Sequence, residues 1–189
     1  IWESWPWKRD RARRDELLQR RMMQHRWPEV SLQKVEQDIF FAAYSIRKLV
    51  ESGKISDEVE SISVRVNAYP KKKRSVDLMN WHKIDQLFEL EVKTEKTLSL
   101  RDFCNQIIHS FIFMLAFSED RSLDGFFLAS DRAKEHRLYF VKLSDMIAVC
   151  LRVAEDDVVS LTMTRSDVGE PMRIQRKSNR LEAKEDGAR

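Results

Sequence analysis

The chain has 189 residues, of which 42% are hydrophobic and 34% charged, so it can form one domain with a sizeable apolar core and a well-solvated surface. The net charge of +3 is too small to identify a class of partner, and no run approaches the roughly 20 apolar residues that a membrane-spanning helix needs. The two cysteines and four histidines do not have metal-ligand spacing, so neither a metal nor another cofactor is predicted.

The first 30 residues form an N-terminal arm and helix rich in tryptophan and arginine. Residues 8–26 carry eight Lys or Arg against three Asp or Glu, whereas residues 27–164 carry nineteen against twenty-two. Good helix formers dominate residues 8–26, and this predicted helix ends before Pro28, because a residue that precedes proline avoids the helical region. Four arginines of the helix are candidates for contacts with lipid head groups or nucleic-acid phosphates, the alternative being a solvated helix: Arg13, Arg14, Arg20 and Arg21.

Residues 31–164 have the pattern of a single α+β domain, and residues 165–189 lack a hydrophobic period, which predicts a mobile tail. Apolar residues at helical spacing predict helices over 32–52, 78–90, 99–116 and 144–153. Alternating or short apolar runs predict strands over 61–69, 125–130, 137–143 and 158–164, while polar residues 93–97 predict a loop. We therefore expect N-terminal helices and a central buried helix packed on a small, mostly antiparallel sheet.

The predicted central helix, residues 99–116, carries the clearest chemical pattern of the chain. Ser99 is its candidate N-cap. Arg101, Asn105 and His109 recur every four residues, so they would share one polar stripe on an otherwise apolar helix. Histidine moves protons near neutral pH, and arginine holds phosphate and stabilises the charge that develops on it. The stripe predicts a catalytic site or, as the alternative, an Asn and a His that hold a neighbouring loop by hydrogen bonds.

The segment Leu100–His109 resembles the signature helix of HEPN domains, which many bacterial RNA-cleaving toxins and defence proteins contain. In the HEPN motif four to six residues separate an arginine from a histidine, commonly with an asparagine directly after the arginine. Asn105 and His109 match the motif, and Arg101 lies one residue farther upstream than the motif allows. The resemblance implies a prokaryotic protein directed at RNA, with a degenerate form of a metal-free ribonuclease site. His109 would carry the proton, Asn105 would orient, Arg101 would clamp the phosphate, and a homodimer would pair two such sites. Cys104 and Cys150 lie in apolar helical patterns, which predicts reduced core thiols in a cytoplasmic protein.

A second basic candidate is the loop that follows the first predicted strand. Four consecutive cations could hold phosphate there, although such a run more often forms a solvated turn. They are Lys71, Lys72, Lys73 and Arg74.

The competing hypothesis is a non-enzymatic interaction domain on the cytosolic face of a membrane, anchored upstream of residue 1. Trp2, Trp5 and Trp7 precede the arginines, and aromatic residues followed by positive charge are typical of the cytosolic membrane boundary. RNA and an anionic membrane surface are thus the two partners that the sequence predicts.

Overall fold

Secondary structure covers most of the chain that the computed structural model describes, namely residues 3–164 and 172–178. The helices of this part are α1 (Trp5–Met22), α2 (Glu29–Glu51), α3 (Asp57–Glu60), α4 (Ile84–Leu87), α5 (Leu100–Ile108) and α6 (Leu143–Ala154), with a 3-10 turn at Ala133–Glu135. Its strands are β1 (Ser63–Pro70), β2 (Thr94–Ser99), β3 (Ser110–Phe117), β4 (Leu123–Ser130), β5 (Arg137–Lys142), β6 (Val158–Thr164) and β7 (Arg173–Ser178). The α+β class predicted from the sequence is confirmed.

Five strands form one antiparallel sheet in the order β2-β1-β5-β4-β3. β1 pairs with β2 and β5, so that Asn67 lies between Glu95 and Phe140. β4 pairs with β5 and with β3, and the register of the β3–β4 pair shifts near each end. β6 and β7 form a separate two-stranded sheet, in which Met163 lies opposite Ile174. The two edges of the five-stranded sheet are therefore β2 and β3.

The main core lies between one face of this sheet and the helices α1, α2, α5 and α6. In β1 the alternate residues Val64, Val66 and Ala68 point to this core, as the period of a strand requires. Helix α2 buries apolar residues at helical spacing, including Val35, Ile39, Ala42, Ala43, Ile46 and Leu49. Each fully buried aliphatic side chain contributes roughly 1.5–3 kcal/mol, so the packing of α2 anchors the helical layer.

A second, smaller core covers part of the other face of the sheet. Leu87 and Phe88, at the end of α4, are fully buried against Ile112 of β3 and Leu138 of β5. Because α4 has only four residues, this segment is held by packing and by a β-bridge between Lys71 and Phe88 rather than by a long helix.

The prediction of a helix over residues 99–116 is wrong beyond Ile108, where α5 ends and the chain enters β3. The start of the helix is as predicted, because the Oγ atom of Ser99 accepts a hydrogen bond from the N–H of Asp102 at 3.1 Å. No glycine or proline separates the apolar residues of α5 from those of β3, and periodicity alone does not distinguish a buried strand from a buried helix. Pairing with β4 decides the conformation of residues 110–117.

Other segments also differ from the sequence-based predictions. Residues 94–99 form the edge strand β2 and not a loop, residues 173–178 of the expected tail form β7, and α4 is much shorter than the helix predicted over 78–90. β2 and β7 exist because they pair with β1 and β6, which local patterns do not reveal. Trp2 and the remaining tail residues, 165–171 and 179–189, lie outside the described residues.

Helix α1 packs on α6. Leu18 is fully buried in the main core, and the Nζ atom of Lys8 donates a hydrogen bond to the main-chain oxygen of Asp156 just beyond α6. Among the described residues no helix has both the length and the apolar character needed to cross a membrane.

Candidate functional site

A polar groove of about 600 Å³ lies where α5 ends, beside the turn that follows β4. Three elements contribute to it: α2, α5 and the β4 turn. The residues that line it are Arg47, Asp102, Asn105, Gln106, His109, Ser130, Asp131 and Arg132. It therefore combines two guanidinium groups, one imidazole, two amides and two carboxylates in one cavity.

Backbone contacts fix the end of α5 against the β4 turn. The N–H of His109 donates to the main-chain oxygen of Asn105 at 3.0 Å, which closes the last turn of the helix. The N–H of Asp131 donates to the main-chain oxygen of His109 at 3.2 Å. The N–H of Ser130 donates to the side-chain oxygen of Gln106, also at 3.2 Å. Gln106 is thus a structural residue, and the position of His109 relative to the turn is set by main-chain atoms.

The side chains of His109 and Arg132 are exposed in this groove, and neither makes a hydrogen bond or ion pair within the described part of the chain. A buried histidine that holds a neighbouring loop, which was the alternative explanation for His109, would have such a partner. The hydrogen bond between His109 and the β4 turn is made by its main-chain oxygen. Both side chains are consequently accessible to a ligand in the groove.

Arg47 of α2 reaches the groove from the other side. Its Nε atom donates to the Oδ1 atom of Asn105 at 3.0 Å, and its Nη2 atom lies 3.0 Å from the Oε1 atom of Glu51. The side chain is only 19% exposed, and its Nη1 atom is buried without a hydrogen-bond partner. A buried donor without a partner costs about 1–3 kcal/mol, so an acceptor that reached this atom would stabilise the site. Its contact with Asn105 also fixes the orientation of that amide.

Each carboxylate beside these cations has its own local partner. Asp131 accepts a hydrogen bond from Lys134 at 2.7 Å, and Asp102 accepts one from the hydroxyl of Ser99 at 2.7 Å. The hydrogen bond from Lys48 lowers the pKa of Glu51, and the nearby charge of Arg47 acts in the same direction. These three carboxylates therefore have hydrogen-bond partners other than His109 and Arg132.

Of the stripe predicted from the sequence, the structure brings Asn105 and His109 into the groove and leaves Arg101 outside it. Arg101 is in the first turn of α5, and its guanidinium lies 3.7 Å from the carboxylate of Glu60. Sequence reasoning missed Arg47 and Arg132. A cation at the end of α2 is explained by the helix dipole, and Arg132 follows a strand in an ordinary polar turn. Only the tertiary structure shows that both line the same groove as Asn105 and His109.

The other predicted binding residues do not join the groove. In the loop Lys71–Arg74, three of the four cations bind other segments at 2.8 Å: Lys71 to Glu135, Lys72 to the main-chain oxygen of Asp85, and Arg74 to Gln86. Lys73 is exposed. These bonds hold the loop against the domain, and phosphate binding by the loop stays a prediction.

In the basic helix α1, the exposed side chain of Arg20 pairs with Glu16 at 2.8 Å. Arg21 donates a hydrogen bond to the main-chain oxygen of Ser31 at 2.9 Å. The side chains of Arg13 and Arg14 are outside the described part of the structure. Binding of lipid or nucleic acid by this helix stays a prediction.

Comparison of the chain with protein-family models, with curated proteins and with solved structures finds no match. The resemblance of Leu100–His109 to HEPN domains accordingly stays a prediction. Among the described residues no group of three or more His, Cys, Asp or Glu is placed to hold a metal ion. The side chains of the groove are therefore the basis for a functional proposal.

Proposed function

We propose that the groove binds the phosphate backbone of RNA and cleaves it without a metal ion, with the ribose 2′-hydroxyl as the nucleophile. One observation carries this proposal: an unbonded imidazole, His109, lies in the same cavity as the guanidinium groups of Arg47 and Arg132. A histidine can transfer the proton that such a reaction requires, and arginines can stabilise the charge that develops on the phosphate. Asn105, held by Arg47, would orient the bound phosphodiester.

In the proposed reaction the 2′-oxygen attacks the adjacent phosphorus, and the bond from phosphorus to the 5′-oxygen of the next nucleotide breaks. His109 accepts the proton of the 2′-hydroxyl, and Arg132 neutralises charge on the non-bridging oxygens. The departing 5′-oxygen takes a proton from water in the open groove. The products are a 2′,3′-cyclic phosphate and a 5′-hydroxyl end. DNA would bind the same cations without being cut, because it lacks the 2′-hydroxyl.

The phosphate contact is assigned to Arg132 and Arg47, and not to Arg101 as the sequence pattern predicted. Arg132 is exposed and has no partner in the described part of the chain, so it can bind phosphate without breaking an existing contact. The unpartnered Nη1 atom of Arg47 would donate a hydrogen bond to a phosphate oxygen that reached it. Arg101 lies next to Glu60 and provides a matched control, since its removal also lowers the charge by one.

The test uses a labelled oligoribonucleotide of mixed sequence with the purified chain and three variants. His109→Ala should still bind RNA and should lower the rate of cyclic-phosphate formation by about 10²-fold or more. Arg132→Ala should weaken binding and reduce the slope of log affinity against log salt concentration by about one, while Arg101→Ala should change neither property.

Two results would contradict the proposal. If the wild-type chain binds no RNA, the groove has another ligand. If wild type and His109→Ala cleave at the same rate, or neither cleaves, the catalytic role of His109 is wrong. Binding that depends on Arg132 would then identify a non-catalytic RNA-binding site.

A further inference from the structure

A mostly apolar depression with a volume of about 630 Å³ lies near the polar groove. We call it the aromatic shelf, and define it by Phe40, Phe41 and Tyr44 of α2 with Ile108 of α5, together with Gln33, Glu36 and Gln37. Tyr44 precedes Arg47 by three residues on α2, and Ile108 directly precedes His109. The shelf and the groove are thus lined by neighbouring residues of the same two segments of the chain.

The exposed part of the shelf does not belong to either core. Phe41 is 54% exposed and Tyr44 is 45% exposed, whereas the buried residues of α2 lie on the opposite side of the helix. Phe40 packs on Phe113 of β3, with ring centroids 5.0 Å apart, and so supports the shelf from below. The solvent-facing side of a helix normally carries charged residues, so two exposed aromatic rings at this place form a candidate binding surface.

The surroundings of the shelf favour a nucleic-acid base as its ligand. Side chains three residues apart on a helix are roughly 5–6 Å apart at Cβ, which suits a base on Tyr44 and its phosphate near Arg47. The Nζ atom of Lys48, which is paired with Glu51 at 2.8 Å, lies over the Tyr44 ring, 5.7 Å from its centre. The amides of Gln33 and Gln37 supply donors and acceptors for the edge of a base.

We propose that the shelf stacks unpaired bases of the RNA whose backbone lies in the groove, so that the protein selects single-stranded over double-stranded RNA. This inference rests on the proposed function of the groove. Bases in a duplex are already stacked and paired, and they cannot lie flat on Tyr44 unless the duplex opens. An aromatic platform beside a cationic groove holds single strands with little dependence on sequence.

The test compares the affinity of the full chain for one RNA sequence as a single strand and as a duplex. The variants are Tyr44→Leu, Tyr44→Trp and the control Phe117→Leu, which alters a 42% exposed ring that does not line the shelf. We expect Tyr44→Leu to weaken single-strand binding about fivefold or more, because loss of one stacked base has that effect. Tyr44→Trp should restore binding, and Phe117→Leu should leave it unchanged. Binding of the duplex should be weaker than that of the single strand and indifferent to all three changes.

The outcomes separate this inference from the proposed function. If Arg132→Ala weakens RNA binding but Tyr44→Leu does not, or if the duplex binds as tightly as the single strand, the groove binds RNA and the shelf does not. If wild type binds neither form, both proposals fail together. Light scattering on the same samples detects a second copy of the chain on the shelf. A dimer that dissociates in Tyr44→Leu would make the shelf a subunit interface and overturn the inference.

Discussion

Replacement of Asp156 by alanine should be among the most destabilising single changes in the domain. The Asp156 carboxylate is 2% exposed and accepts two hydrogen bonds of 2.7 Å, from the N–H and the hydroxyl of Ser56. Ser56 is fully buried and is the N-cap of α3, so both donors would be left without an acceptor in a dry environment. Each such group costs about 1–3 kcal/mol. Since the hydroxyl can rotate to seek another acceptor, we expect a total loss of about 3 kcal/mol.

The measurement is thermal unfolding followed by circular dichroism, with a urea titration to obtain the free energy of unfolding. For a domain of this size, about 3 kcal/mol corresponds to a fall in Tm of roughly 6–12 °C. Asp124→Ala is the matched control, because it removes the same charge from an exposed side chain that makes no hydrogen bond or ion pair within the described part of the chain. A surface substitution of this kind usually changes stability by less than about 0.5 kcal/mol. Equal Tm values for the two variants would show that Asp156 does not hold α3 to the end of α6.

Two further predictions concern stability. Gly125→Ala should destabilise the domain by about 3 kcal/mol, which is the upper end of the range for overpacked cores. The added Cβ would overlap the main-chain oxygen of Val141 on the paired strand β5, and a main-chain atom cannot rotate away. A urea midpoint equal to that of wild type would contradict this prediction. Asp120→Asn should lower stability at neutral pH. The hydrogen bond from the hydroxyl of Ser118 is the largest cause that holds the pKa of Asp120 far below its usual value, and the N–H and hydroxyl of Ser122 act in the same direction. Because that pKa is depressed on folding, the stabilisation is present above the unfolded pKa of about 4 and is lost as the pH falls through the folded value. The difference in Tm between wild type and Asp120→Asn should therefore shrink in acid, and a difference that is constant with pH would refute the assignment.

The elements that the sequence predicts well are those whose signals are local. Helix α2 has apolar residues at one spacing through its length, and Gly53, with φ of 63°, follows its end, as a helix stop requires. β1 alternates buried and exposed residues, so its position is also clear from the sequence. β3 is different, because its apolar residues continue the pattern of α5 and only the pairing with β4 makes them a strand. β2 is polar, and it is a strand because β1 lies beside it.

The same distinction between local and distant information applies to the candidate site. Asn105 and His109 share a face of one helix, so their proximity could be predicted from a spacing of four residues. Arg47 is 58 residues from Asn105 in sequence, and no local pattern links the two residues that the structure joins at 3.0 Å. Arg101 has the right spacing, but its side chain lies beside Glu60 and outside the groove. A stripe on a helix therefore indicated two residues of the candidate site, and tertiary contacts determined which cations line it.

The most direct test of the proposed function is ultraviolet cross-linking of single-stranded RNA to the wild-type chain, with the linked peptides identified by mass spectrometry. The account predicts cross-links to peptides that contain Tyr44, His109 or Arg132, and predicts that excess unlabelled RNA of the same sequence removes them. Cross-links confined to the arginine-rich helix α1, or none above the level of an unrelated protein, would contradict the claim that this groove is an RNA-binding site.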